Sequence, residues 1–138
     1  MVVAQAFPRS ARVLTPAQYQ QVLRGGRRVA RGALFQVLFA AAPDPAQGQA
    51  RLGLIVGKRN APLAVSRNAI KRVWREAFRQ VRAGLPAGDY VIRLQTRIPA
   101  ASLTVLKRVA AAEAARLLQQ AADSRRLARP RGPVAGAP

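Results

Sequence analysis

The stretch Ser66-Arg67-Asn68-Ala69-Ile70-Lys71-Arg72-Val73-Trp74-Arg75-Glu76-Ala77-Phe78-Arg79 constrains the chain more than any other, because wound as a helix it separates charge from apolar bulk almost completely. At roughly 100° per residue, Arg67, Asn68, Lys71, Arg72, Arg75, Arg79 and Arg82 fall within an arc of about 140°, and Ile70, Val73, Trp74, Ala77 and Val81 fill the complementary arc, with Phe78 at the border beside Arg67. The apolar side predicts a helix seated on a core. Its other side is a cationic ridge. Ordinary solvated faces mix both signs, since like charges at i,i+4 repel. Here Arg67, Lys71, Arg75 and Arg79 form an uninterrupted like-charge series, with only Glu76 on the flank. Such a face suits a polyanion.

Composition points the same way. The 138 residues hold 24 Lys and Arg against 5 Asp and Glu, a formal net charge of +19. That repulsion burdens a compact state unless a polyanionic partner neutralises it. The length fits one domain with a modest core. There is no cysteine, hence no disulfide framework and no thiolate metal site. The longest apolar run, residues 33–42, is too short to span a membrane and contains Gln36. No signal-peptide pattern opens the chain. The expectation is a soluble, cytoplasmic protein.

Along the chain, residues 1–13 read as an extended arm. Thr15-Pro16-Ala17-Gln18-Tyr19 then gathers the signals of a helix start: Thr15 as N-cap, Pro16 at the first position, Gln18 completing a capping box, and Leu14 able to staple to Tyr19. Gly25-Gly26 should end that helix, whose apolar side is Tyr19, Val22 and Leu23. Residues 33–41 predict a strand with Phe35, Val37 and Phe39 on one face and Leu34, Gln36 and Leu38 on the other. Residues 52–57 predict a second strand, paired with the first as a hairpin across the turn-rich segment 43–48. Ser66 is a plausible N-cap for the basic helix. A strand over 90–95 and an Ala/Leu-rich helix over 102–122 follow. From residue 123 on, Arg, Pro, Gly and Ala without apolar periodicity predict a disordered basic tail, so the domain spans 1–122 and the tail 123–138.

Reaction chemistry is sparse. Histidine is absent, and the five carboxylates, Asp44, Glu76, Asp89, Glu113 and Asp123, fall in turns, the tail and two different helices. No pair is spaced to hold a divalent metal or to act as general acid and base. A self-contained hydrolase is not expected.

On these residues the chain resembles the protein subunit of bacterial ribonuclease P. The family's helix hallmark, Arg-Asn-Arg-x-Lys-Arg-x-x-Arg, is matched by Arg67, Asn68, Lys71, Arg72 and Arg75, with Ala69 where arginine is usual. The likeness extends from Phe7-Pro8-Arg9 and Arg12 through the Thr15 helix start, Gly53-Leu54-Ile55-Val56-Gly57-Lys58-Arg59, and Asp89-Tyr90-Val91 to the last helix.

The resemblance implies an α/β (α+β two-layer) fold, similar to the second domain of a small-subunit ribosomal protein, with helices on one small mixed sheet and a left-handed crossover to the hallmark helix. It implies a non-catalytic subunit of an endoribonuclease, a ribonucleoprotein whose catalytic RNA, with divalent metal (Mg) in the RNA active site, matures the 5′ end of precursor tRNA. Lys58, Arg59, Arg67, Asn68, Lys71, Arg72 and Arg75 would face that RNA. Tyr19, Leu23 and Val37 occupy the positions of the cleft that holds the precursor's single-stranded 5′ leader. Tyr19 alone of the three is aromatic, and apolar packing competes with stacking at each; Phe35 or Phe39 could offer a platform in another register. The alternative is a ribosomal or RNA-assembly protein with no role in cleavage.

Overall fold

The computed structural model describes residues 15–42 and 49–135, with side chains to residue 123. In chain order these form α1 (Pro16–Gly25), β1 (Arg27–Arg31), β2 (Phe35–Ala41), β3 (Ala50–Ile55), α2 (Ala64–Val81), a 3-10 turn (Arg82–Gly84), β4 (Gly88–Leu94) and α3 (Leu103–Ala135). The arm and Leu14, and with them the proposed staple, lie outside the described residues.

The start of α1 is built as its sequence predicts. Thr15 Oγ1 accepts the Gln18 N–H at 3.2 Å and Gln18 Oε1 accepts the Thr15 N–H at 2.7 Å, so two otherwise orphaned donors are satisfied reciprocally. The Gly26 N–H closes the helix on the Val22 carbonyl at 2.9 Å. A Cβ at Gly26 would sit 2.5 Å from that carbonyl oxygen and 2.7 Å from the Phe39 carbonyl oxygen. Only glycine lets the chain run from α1 directly into the sheet.

Strand order is β1-β2-β4-β3, with β1–β2 and β2–β4 antiparallel and β3–β4 parallel. This corrects the expected hairpin between the strands at 33–41 and 52–57: β4 lies between them, and the hairpin partner of β2 is β1. The sequence hid β1 because three of its five residues are arginine and a bulge near Val29 breaks the period of two.

On one face of the sheet Phe35, Val37 and Phe39 stand opposite Leu94, Ile92 and Tyr90. Ile70, Trp74 and Phe78 of α2, with Leu106, Ala110, Ala114, Leu117, Leu118 and Ala121 of α3, close over them as the main core. On the other face α1 lays Val22 on Val91, flanked by Tyr19, Leu38, Ala40 and Ile55. No helix among the described residues is long and apolar enough to cross a membrane.

Two helix boundaries depart from expectation. The N-cap of α2 is Leu63, with no side-chain bond, and Ser66 is buried one turn in. Here Arg67 serves the turn instead, its Nη1 donating to the Ala61 and Pro62 carbonyls at 2.8 Å each. The Ser102 hydroxyl caps α3, accepting the Val105 N–H at 3.2 Å. The backbone of α3 then continues to Ala135, beyond the end near residue 122 that the sequence suggests; residues 125–129 are mostly Arg, Leu and Ala, good helix formers. Its last buried side chain among those described is Ala121.

Glu113 ties α3 to the β1–β2 turn. Its buried carboxylate accepts the N–H groups of Leu34 and Phe35 at 2.9 and 2.8 Å. A Cβ at Gly32 would lie 2.7 Å from Glu113 Cδ, so Gly32→Ala should push the carboxylate off both donors. The expected cost is about 1 to 3 kcal/mol, read from urea unfolding. It should shrink in a Glu113→Ala background, where the two sites share one interaction.

Candidate nucleic-acid interface

The outer side of α2 is cationic, but fewer of its charges point outward than the helical wheel suggests. Asn68, Arg72 and Arg75 are exposed, Lys71 is half-buried, and Lys58 and Arg59 are exposed in the loop that leads from β3 to α2. Three members of the arc turn back to the protein. Arg67 holds the 61–62 turn. Arg79 pairs with Glu76 at 2.6 Å. Arg82 donates to the Ala50 carbonyl at 2.9 Å and to the Gln49 side chain. Hydrogen bonds from Arg79 and then Gln80 hold the Glu76 carboxyl down at about 2, so it stays ionised at any working pH and its negative charge is spent on Arg79. On the inner side, Ile70, Trp74 and Phe78 are buried and Val73 and Ala77 half-buried, as expected, whereas Val81 is 42% exposed where the helix ends. Ala69 is buried, off the ridge.

A second surface lies on the α1 side of the sheet. Cross-strand partners share a face, so the register Arg31↔Gln36, Gln36↔Arg93 and Arg93↔Ile55 lays these four side chains in one row across all four strands. Arg31 and Arg93 are exposed, and Gln36 and Ile55 half-buried. Tyr19 borders the cleft between this row and α1. Its hydroxyl accepts the Leu54 N–H at 3.1 Å, satisfying a donor on the outer edge of β3.

Val37 does not belong to this cleft. It is 0% exposed and points into the main core, on the face opposite α1. The period of two that puts Val37 beside Phe35 and Phe39 removes all three from the α1 side, so neither phenylalanine offers a platform. Leu23 is 40% exposed on α1. The sheet presents Gln36, Leu38, Arg93 and Arg31 on the α1 side, and the sequence alone does not single them out. The alternation of residues 34–38 was visible, but choosing its functional face required knowing which face α1 covers.

Each described carboxylate is engaged: Asp89 in a bidentate pair with Arg51 at 2.7 and 2.9 Å, Glu76 with Arg79 and Gln80, Glu113 with the hairpin turn, and Asp123 accepting from Gln119. Among the described residues no group of three His, Cys, Asp or Glu could hold a metal ion. Among the described residues, the exposed charge on these two surfaces is predominantly cationic.

A family model described as Ribonuclease P matches residues 7–122. The chain belongs to the ribonuclease P protein family. It is 54% identical over 108 residues to the ribonuclease P protein component of Bordetella avium, covering 78% of this chain and 88% of that one. With the component of Paraburkholderia xenovorans it shares 39% over 140 residues, 96% and 94% of the two chains. The fold matches the ribonuclease P protein of Staphylococcus aureus with a TM-score of 0.62 at 24% identity, over 79% and 93% of the chains. The ribonuclease P protein of Thermotoga maritima, solved with 1-(4-fluorophenyl)-2-thiourea, matches with a TM-score of 0.59 over 76% and 91%. As a ribonuclease P protein component, the chain is a subunit of that enzyme and has an RNA partner, which sets aside a ribosomal protein with no role in cleavage.

Proposed function

We propose that this chain is the RNA-holding, non-catalytic subunit of ribonuclease P, acting in the cytoplasm on precursor tRNA. The observation that carries the reading is the outward face of α2, where Asn68, Arg72 and Arg75 stand exposed beside Lys58 and Arg59. Guanidinium groups suit bidentate phosphate contact, and the apolar side of α2 is fixed by the core, so the contacts are held in one geometry. The catalytic RNA docks on this ridge. Endonucleolytic cleavage at the 5′ end of tRNA is then RNA chemistry, with its divalent metal in the RNA active site.

The leader of the precursor lies in the cleft between α1 and the sheet. Tyr19, Leu23, Leu38, Gln36 and Arg93 offer it one aromatic ring, apolar walls, an amide and a cation, a mixture suited to a single strand.

Nuclease-controlled protein free of RNA should leave precursor tRNA intact, and adding the catalytic RNA with Mg should restore cleavage. Metal-dependent cleavage by the protein alone would refute the division of labour. The leader is tested at Tyr19. Tyr19→Phe keeps the ring and loses the bond to β3, whereas Tyr19→Ala loses both. A stacked base is worth about 1 to 3 kcal/mol, so holoenzyme with Tyr19→Phe should retain its preference for precursor over mature tRNA and Tyr19→Ala should lose most of it. Equal loss in both variants would make Tyr19 an anchor of α1 only.

A further inference from the structure

In a regular strand, residues three apart point to opposite faces. Arg28 and Arg31 do not: Arg28 pairs with Leu38 and Arg31 with Gln36, because the register shifts between Arg28 and Ala30. The bulge places both arginines on the α1 side while Val29 and Ala30 are both buried in the main core. Arg28 and Arg31 are exposed, as is Arg24 in the last turn of α1 just before them. The ion pairs among the described residues are Arg51–Asp89, Arg79–Glu76 and Arg116–Glu113, and none neutralises this edge.

The row Ile55–Arg93–Gln36–Arg31 crosses the sheet over about 14 Å, three inter-strand spacings. At its β3 end the chain passes through Lys58 and Arg59 into the ridge. At its β1 end it reaches the bulge.

We infer that the β1 bulge is a binding device, setting Arg28 and Arg31 as phosphate contacts for the upstream part of the single-stranded leader, the part that has already crossed the sheet. This rests on the leader reading above. With the catalytic RNA on the ridge, next to the β3 edge, a leader that follows the row from that edge carries its upstream nucleotides over β1. Two arginines on one face, with a buried Val-Ala pair anchoring the strand between them, track a backbone without reading its sequence.

The test is holoenzyme reconstituted with the full chain, comparing wild type with Arg28→Gln/Arg31→Gln, and with Arg27→Gln/Arg108→Gln as a charge-matched control. Dissociation constants are measured for mature tRNA and for precursors with leaders of increasing length, over a range of salt. Wild type should tighten as the leader lengthens. The Arg28/Arg31 variant should bind mature tRNA and short leaders as wild type does and long leaders roughly tenfold more weakly, with a salt slope flatter by about 1.4, from two contacts of about 0.7 each. The control should match wild type throughout, and thermal melts should show both variants folded. Equal weakening for mature tRNA would assign the arginines to the catalytic RNA and overturn the inference. No weakening would also overturn it, leaving them as charges that protect a strand edge. If wild type itself ignores leader length, the leader reading fails and this inference with it.

Discussion

Trp74→Ala should cost the domain about 3 to 5 kcal/mol, much of the 5 to 15 kcal/mol available to a typical fold. The side chain is 0% exposed, and its ring meets Phe35 edge-on with centroids 5.3 Å apart. It thus joins α2 to β2, an inner strand of the sheet, and its removal leaves a cavity that α2, α3 and the sheet must share. Trp74 Nε1 has no hydrogen-bond partner among the described residues. Trp74→Phe therefore sacrifices volume but no polar interaction, and it removes an unsatisfied donor that is costly to bury. Its expected cost is well below that of Trp74→Ala, because the remaining ring leaves a smaller cavity. Urea unfolding followed by far-ultraviolet circular dichroism separates the two variants. A Trp74→Ala loss no larger than that of Trp74→Phe would place the ring outside the core.

Arg72→Ala/Arg75→Ala should do the opposite, leaving the melting temperature of the free protein unchanged or raised while weakening binding to the catalytic RNA roughly 10- to 100-fold. Both side chains are exposed and removing them relieves like-charge repulsion along α2. Each duplex phosphate contact contributes about 0.9 to the log–log salt slope, so the double variant should flatten it by about 1.8. Arg79→Ala is the informative contrast. Because Arg79 is paired with Glu76, its loss should weaken binding less than either exposed arginine. A larger effect at Arg79 than at Arg72 would mean that the ion pair opens on the RNA.

The helix faces and the family were readable from the sequence because both rest on local signals: a 3.6-residue period, a capping box, and a string of residue types at fixed spacing. Thr15 and Gln18 form their box without help from any other element. The strand pairing was not readable. β4 inserts between β2 and β3 through contacts more than thirty residues apart, and nothing in residues 33–57 announces it. Val37 shows the same limit within the site. Its alternation with Gln36 is plain, but which of the two meets solvent depends on where α1 lands. The ridge was overcounted for a related reason: a helical wheel assigns direction to Arg67, Arg79 and Arg82 but cannot show that carbonyls at 50, 61 and 62 and a carboxylate at 76 claim them.

The hold of Glu113 on the Leu34 and Phe35 amides joins residues 79 and 78 positions apart, and it sets the order in which the molecule can be made. Contacts that distant close late, since the intervening chain must first be confined. During synthesis the hairpin bearing Arg28, Arg31 and Gln36 leaves the ribosome long before α3 does, with two amide groups of its turn still lacking their acceptor. The α1 side of the sheet is therefore completed only when the C-terminal helix arrives, and a chain cut short before Glu113 would carry every residue of that face without the anchor of its turn.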